Sequence, residues 1–549
     1  MSEKLSHVET IKTNSDGLRG TLKESLNDNH TGGLRADDEV LVKFHGMYVQ
    51  DDRDRRAERA EKKLDKLYSF MLRLRIPGGI INAEQWLATH AISEQYGTGT
   101  LKITTRQTLQ LHGLLKHQLR PTIQAFNLAQ LDSIAACGDV NRNVITSAHP
   151  QVSPLHQQIY EYADKISELL LPKTNSYYEI WIDGEKIYER SQEADPLYQD
   201  RYLPRKFKIA IAIPPSNDVD VFANDLGLIA IIENNELKGF NIVAGGGMAT
   251  THGNPDTYSR LGTVLGFTDT EEKTLKAVYE VATVQRDYGN RSDRKFSRLK
   301  YTIDKMTVPG FKAELEKRIG FALEPERPYT FTERTDRYGW QQNYEGKWYY
   351  TLFVENGVVK PYQKQLLYEV AKLNASNFIF TGNQNLILGE INAKNKPVIE
   401  ALIAKYGIED KDSALRKNSM ACVALPTCPL ALAEAQRYLP ELVTKIEPYL
   451  EKYNLQNEEI VIRMTGCPNG CGRPYVAELG FVGTAPGQYN FMLGGDRFGE
   501  RLNKIYKEKL NEEEILAEVD TLLDLYVNER KKGETLGDFG HRKFFASAN

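Results

Sequence analysis

The sequence predicts an internally duplicated α/β (α+β) protein with pseudo-two-fold symmetry around a central cleft. Long-range echoes carry this prediction. The stretch W-Y-Y-T-L-F-V-E-N-G at 348–357 repeats the pattern of 70–79. F-I-F-T-G-N-Q-N-L-I at 378–387 repeats that of 102–111, with Gln384 standing where Gln107 stands. Further on, N-R-N-V-I-T-S-A-H-P from Asn141 parallels N-S-M-A-C-V-A-L-P from Asn418. F-N-I-V-A-G-G-G from Phe240 parallels F-M-L-G-G from Phe491. Two such halves enclose a cleft, a natural place for a cofactor.

The elements follow in order. Residues 1–35 are polar with few apolar anchors and read as a flexible arm. Residues 41–48 alternate weakly and suit an extended strand. The run D-D-R-D-R-R-A-E-R-A-E-K-K-L-D-K at 51–66 mixes its signs, which favours a solvated helix over a nucleic-acid patch. Residues 69–76 are strand-like and end at Pro77-Gly78-Gly79. Residues 83–96 have helical spacing. Residues 101–112 alternate with period two, as one strand. The polar face of that strand, Lys102, Thr104, Arg106, Thr108, Gln110 and His112, looks either to water or to a large anionic ligand.

Composition narrows the function. The 549 residues exceed one core and imply several domains. Hydrophobic content of 41% and mean hydropathy of −0.48 describe an ordinary globular chain. With 70 basic and 74 acidic residues the net charge is −4, so no global field favours nucleic acid or a membrane. No apolar run is long enough to span a bilayer, and the first residues lack a signal-peptide core. Five cysteines, four of them clustered, argue against a disulfide framework and for a reducing compartment, the cytoplasm.

Those four are Cys422, Cys428, Cys467 and Cys471. Four thiolates suit an iron–sulfur cluster. Structural zinc remains open, although its ligand pairs are normally closer than Cys422 and Cys428. So do disulfides. The fifth cysteine, Cys137, reads as a small buried apolar residue.

T-G-C-P-N-G-C at 465–471, followed by E-L-G-F, resembles the signature of the sirohaem-containing sulfite and nitrite reductases. F-H-G-M-Y-V-Q-D-D-R-D, L-P-R-K-F-K, Q-R-D-Y-G-N-R and P-T-C-P-L-A extend the likeness from about Gly17 to about Asp538. They point to haemoprotein (beta) subunits of the assimilatory, NADPH-dependent branch. The resemblance implies that the four cysteines hold a [4Fe-4S] cluster and that Cys471 is also the axial ligand of the sirohaem iron. It implies sulfite as substrate, reduced by six electrons to sulfide in sulfate assimilation and cysteine biosynthesis. It places substrate-anion binding and catalysis on Arg73, Arg142, Lys206 and Lys208.

Expected domains are 1–65 (arm and charged helix), 66–136 and 337–409 (ferredoxin-like half-domains), 137–336 (sirohaem and anion binding) and 410–549 (cluster and sirohaem). The acid groups of sirohaem demand cations or water. Candidates for that shell are Lys102, Thr104, Thr105, Arg106, Gln110, His112, Arg205, Arg298, Lys300 and Asn469. No flavin or nicotinamide fingerprint is present, so electrons come from outside. The resemblance names a flavoprotein (alpha) subunit fed by NADPH, and the polarity of the N-terminal arm suggests it as the docking segment. Rival readings are a ferredoxin-dependent sulfite or nitrite reductase and, from another class, a zinc- and RNA-binding protein.

Overall fold

The structure is a computed structural model that describes residues 4–173, 195–409 and 411–546, with 180–182 and 185–188 as backbone strands. The outermost residues of the expected arm and tail, and the boundary at 410, lie outside them. The described residues form four five-stranded sheets and one two-stranded ribbon.

Two sheets are antiparallel throughout. The first runs Met47–Asp51, Tyr68–Arg73, Leu109–Leu114, Leu101–Ile103 and then Val358–Val359. The second runs Gly339–Gln342, Trp348–Leu352, Leu386–Ile391, Asn377–Phe380 and then Ile80–Ile81. Each half therefore lends its short strand to the other half's sheet: Val358 pairs with Lys102, and Ile81 with Phe378. A helix backs each sheet. Ala83–Tyr96 begins in a capping box in which Asn82 accepts from the Gln85 N–H at 2.8 Å. Pro361–Lys372 begins with Pro361 at its first position. The two sheets share one core, where Trp86 stacks on Phe378 at 4.8 Å.

The other two sheets repeat a single mixed topology. One holds Ile145–Thr146, Ile209–Ala212, Leu226–Glu233, Glu236–Ala244 and Thr263–Thr268. The other holds Ser419–Ala421, Ile462–Thr465, Leu479–Ala485, Gln488–Leu493 and Lys504–Leu510. In both, the first two pairings are parallel and the last two antiparallel. The duplicated α/β (α+β) class is therefore correct.

Three local expectations are corrected. The arm is folded, not flexible. Helix His7–Asn14, the turn at Leu18 and helix Ala36–Leu41 put Ile11, Leu18 and Leu41 into the first-half core. Lys12, fully buried, bonds Glu9 at 2.5 Å and lies 3.5 Å from Asp139, which Arg294 also grips at 2.8 Å. Charges neutralised inside the core look, in sequence, like charges in water. Residues 41–48 are mostly helical, because Val42–His45 continues the preceding helix as a 3-10 turn before the strand from Met47. Finally, 101–112 is a hairpin. Its turn at 104–108 carries Gln107 at φ 50°, as Gln384 at φ 70° does in the other half. Alternation persists across such a tight turn, so periodicity alone did not show it.

Candidate active site in the cleft between the halves

The first cysteine, Cys422, follows directly on strand Ser419–Ala421. Cys467 and Cys471 lie on the loop after the adjacent strand Ile462–Thr465. Parallel strands send their following loops to the same edge, which brings the two cysteine pairs together. All five cysteines are free, so the disulfide reading fails. No three of the four clustered sulfurs lie within 4.8 Å of one another, whereas a tetrahedral zinc would draw them that close. They are nonetheless near neighbours. Burial pushes the Cys428 thiol up to about 12 and Cys467 to about 11, with Cys471 the next cause in each case. The Cys422 sulfur accepts from the Thr465 hydroxyl and the Gly466 N–H, both at 3.4 Å. Asn469 donates to the Cys467 sulfur at 3.5 Å.

Cys471 is exposed into a pocket between the halves. The opposite wall comes from the first half and includes Thr105, Arg106, Lys206, Lys208 and Arg298. Burial pulls Lys206 down to about 7, with Arg205 adding to it. Burial and then Lys206 depress Lys208 strongly. Neither ammonium has a hydrogen-bond or ion-pair partner among the described residues, and both feel the Cys471 sulfur. Arg106 has a buried Nε without a partner, although its other nitrogens bond Asn224 Oδ1 at 2.6 Å and the Ile209 carbonyl at 2.7 Å. Buried cations left unpaired are costly, so such a wall is built for an anion.

Comparison with known proteins places this arrangement. The nitrite and sulphite reductase 4Fe-4S domain matches residues 161–323 and 413–547. The nitrite/sulfite reductase ferredoxin-like half domain matches 62–129 and 341–406. The chain belongs to the nitrite and sulfite reductase family. Among its relatives, the sulfite reductase [NADPH] hemoprotein beta-component of Leptospira biflexa is 57% identical over 548 residues, covering 98% of this chain and 99% of that one. The protein of the same name from Bacillus velezensis is 51% identical, covering 97% and 95%. The solved NirA protein of Mycobacterium tuberculosis shares the fold, with a TM-score of 0.80 at 23% identity over 98% of this chain and 97% of that one.

The family's two prosthetic groups fit the residues present. Four thiols converge without disulfides, all within the matched 4Fe-4S domain, as a cluster with a thiolate on each iron requires. The unpartnered cations facing Cys471 suit a macrocycle that carries carboxylates and an anionic substrate beside it.

Other predicted residues lie around this centre in distinct roles. Thr105 donates to the Cys471 carbonyl at 3.4 Å. Thr104 accepts the Arg106 N–H at 3.1 Å and so shapes the turn. Lys102 bonds Gln436 and feels the Cys422 sulfur, while burial lowers it to about 7. Arg142 is held by the Gly138 carbonyl at 2.8 Å. Arg73 donates its Nε–H to the Gln110 carbonyl at 2.9 Å, and the Gln110 amide donates to His112 Nε2 at 3.2 Å. His112 Nδ1 bonds Gln50 at 3.0 Å, and burial drives the ring down to about 3, so it is neutral. Arg205 is brought down to about 10 by burial and the adjacent Arg294. Two candidates are occupied elsewhere. Arg298 is bidentate on Asp225 at 2.9 and 2.8 Å, and Lys300 bonds the backbone carbonyls of Gly247, Ala249 and Tyr258.

Arg473, Asn224 and Met248 also line the cleft but were not singled out in the sequence. Arg473 had a signal, following Cys471 by two residues. Asn224 and Met248 had none.

Proposed function

We propose that this chain is the haemoprotein subunit of an NADPH-dependent assimilatory sulfite reductase, reducing sulfite to sulfide. The carrying observation is the face-to-face placement of Cys471 and the unpartnered Lys206 and Lys208. A [4Fe-4S] cluster on Cys422, Cys428, Cys467 and Cys471, with sirohaem beside Cys471, supplies the electrons and the metal that takes the substrate. The chain's own residues do the rest. Arg73 and Arg142 stay charged and orient the anion. Lys206 and Lys208 bind it too and, with depressed proton affinity, release protons to departing oxygens more readily than ordinary lysines. The Gln110–His112–Gln50 chain fixes Arg73 against rotation. The cations not spent on substrate, Lys102, Arg106 and Arg205, answer the macrocycle's acid groups.

The relatives are named beta-components, which implies an alpha partner; we assign that role to a flavoprotein passing on NADPH electrons. Among the described residues no helix is long and apolar enough to cross a membrane, in keeping with cytoplasmic work.

Protein produced in cells that make sirohaem is expected to absorb in the red, to contain iron and acid-labile sulfide, and to release sulfide with a chemical reductant or with NADPH plus flavoprotein. A colourless, iron-free product would end this reading. Sulfide release with ferredoxin alone would replace the partner and leave the chemistry intact.

A further inference from the structure

The cluster lies at one pole of the pseudo-two-fold, and the opposite pole in the first half holds a different set of ligand-type side chains. Cys422 follows directly on strand Ser419–Ala421, and Ser147 follows directly on the equivalent strand Ile145–Thr146. Cys471 lies as far beyond strand Ile462–Thr465 as Asp218 lies beyond strand Ile209–Ala212. Beside Asp218 stand His149 and Asp336. Their ligand atoms all lie within 4.8 Å of one another, and among the described residues no other set of three does this.

All three side chains are buried. Asp336 is aimed by its neighbours: Thr381 and Asn385 donate to its Oδ2 at 2.6 and 2.7 Å, and His149 Nε2 lies 3.1 Å from its Oδ1. Asp218 accepts the Ala148 N–H at 2.9 Å through Oδ2, with the Ser147 hydroxyl close by. Its Oδ1 is buried and has no hydrogen-bond partner among the described residues. Among the described residues no lysine or arginine bonds either carboxylate. Their basic neighbour is His149, whose Nε2 lies 3.1 Å from Asp336 Oδ1, and Arg473 is already held by Asp220 and the Gly382 carbonyl. Gln151 adds a second orphan. Its amide nitrogen lies 3.2 Å from His149 Nδ1 while its buried Oε1 has no partner. The Gln151 N–H points at His149 Nδ1, so Nε2–H faces Asp336 Oδ1, and a bound metal ion would take the place of that proton.

We propose that His149, Asp218 and Asp336 form a second metal centre that takes a divalent ion of the zinc or manganese kind. One nitrogen and two carboxylate oxygens are a ligand set both ions accept, and the ion's two charges neutralise the two acids. The hydrogen bonds from Thr381, Asn385, Ala148 and Gln151 supply the outer shell that such centres use to orient their ligands. The bound ion would clamp the turn at 381–385 of one half to the loop at 213–220 of the other.

The test uses holoenzyme stripped with a chelator, re-equilibrated with Mn²⁺ or Zn²⁺, desalted and assayed for metal per chain. The expected result is one Mn²⁺ or Zn²⁺ retained beyond the iron of the prosthetic groups, with an imidazole-nitrogen coupling in the pulsed electron-spin spectrum of the manganese form. Asp218→Asn and His149→Gln are expected to weaken retention by about tenfold or more while sirohaem absorbance and iron content stay unchanged. Absence of a retained ion in the unmodified enzyme overturns the proposal. So does an ion without nitrogen coupling, or one bound equally well by both variants. Should neither variant fold, the nitrogen coupling in the unmodified enzyme decides the matter alone.

Discussion

Two lysines one residue apart carry the most exacting chemistry in the molecule. Burial lowers Lys206 to about 7, so in the absence of an anion it loses its proton as pH rises through that value. A bound dianion favours the charged form. Affinity for a non-reacting dianion such as sulfate should therefore be level below about pH 7 and fall above it. Cofactor carboxylates add negative charge and move that fall upward, so in the holoenzyme it begins no lower than pH 7. Inhibition constants for sulfate measured from pH 6 to 9 test this; an unchanged constant across the range would discard the assignment, and Lys206→Met should flatten the curve. Lys208 adds a second donor, suited to a larger, doubly charged oxyanion. Lys208→Asn is expected to raise nitrite turnover relative to sulfite turnover, and an unaltered ratio would mean that Lys208 does not set specificity. All four cysteines were legible in the sequence through their clustering, and both lysines only through the family resemblance of L-P-R-K-F-K. Asp218 and Asp220 were not. In S-N-D-V-D-V nothing distinguishes a buried acid from a solvated one, since their partners His149, Arg334 and Arg463 come from distant segments.

At the scale of elements, the exchanged short strands decide how the halves lock. Gly357 precedes Val358–Val359 at φ 74°, and a Cβ there would sit 2.1 Å from the Ile103 carbonyl of the other half's hairpin. Its counterpart Gly79 precedes Ile80–Ile81 at φ 79°. Gly487 is a fair control, with φ 69° and nothing within 4 Å. Gly487→Ala should cost only the left-handed backbone penalty, roughly 1–2 kcal/mol. Gly357→Ala adds a backbone overlap that no side-chain rotation relieves, and it must loosen the pairing of Val358 with Lys102. A larger fall in melting temperature for Gly357→Ala than for Gly487→Ala is expected; equal falls would show that the exchanged strand is not a constraint. The duplication could be read from the sequence because strand and turn patterns are local and survive divergence. The exchange could not, because a two-residue strand has no period.

For the molecule as a whole, the strongest tie between halves is one carboxylate. Asp220 of the first half meets Arg334 of the connecting segment at 2.6 Å, and Arg463 and Arg473 of the second half at 2.6 Å each. All four side chains are buried. Burial opposes ionisation, but Arg334, Arg463 and Arg473 together hold the Asp220 carboxyl well below the usual carboxylate range. The folded value lies below the unfolded one. The stabilisation is therefore complete above about pH 4 and is lost only as pH falls towards the much lower folded value. Lowering the pH from 7 to 5 should leave this joint untouched. Removing its charge should not. Asp220→Asn leaves three guanidiniums facing one neutral amide, and breaking a buried pair in this way costs about 3–5 kcal/mol. Because Arg463 lies on the strand beside the cysteine loop and Arg473 just after Cys471, the loss should appear there first. Hydrogen exchange read by mass spectrometry is expected to show faster opening at 462–465 and 471–476 in the variant. The helix Pro361–Lys372, which packs in the shared ferredoxin-like core and bonds none of the four hub side chains, should keep its protection. Uniform loss over both regions would point to global destabilisation, and no change at 462–465 would show that packing, not Asp220, joins the halves.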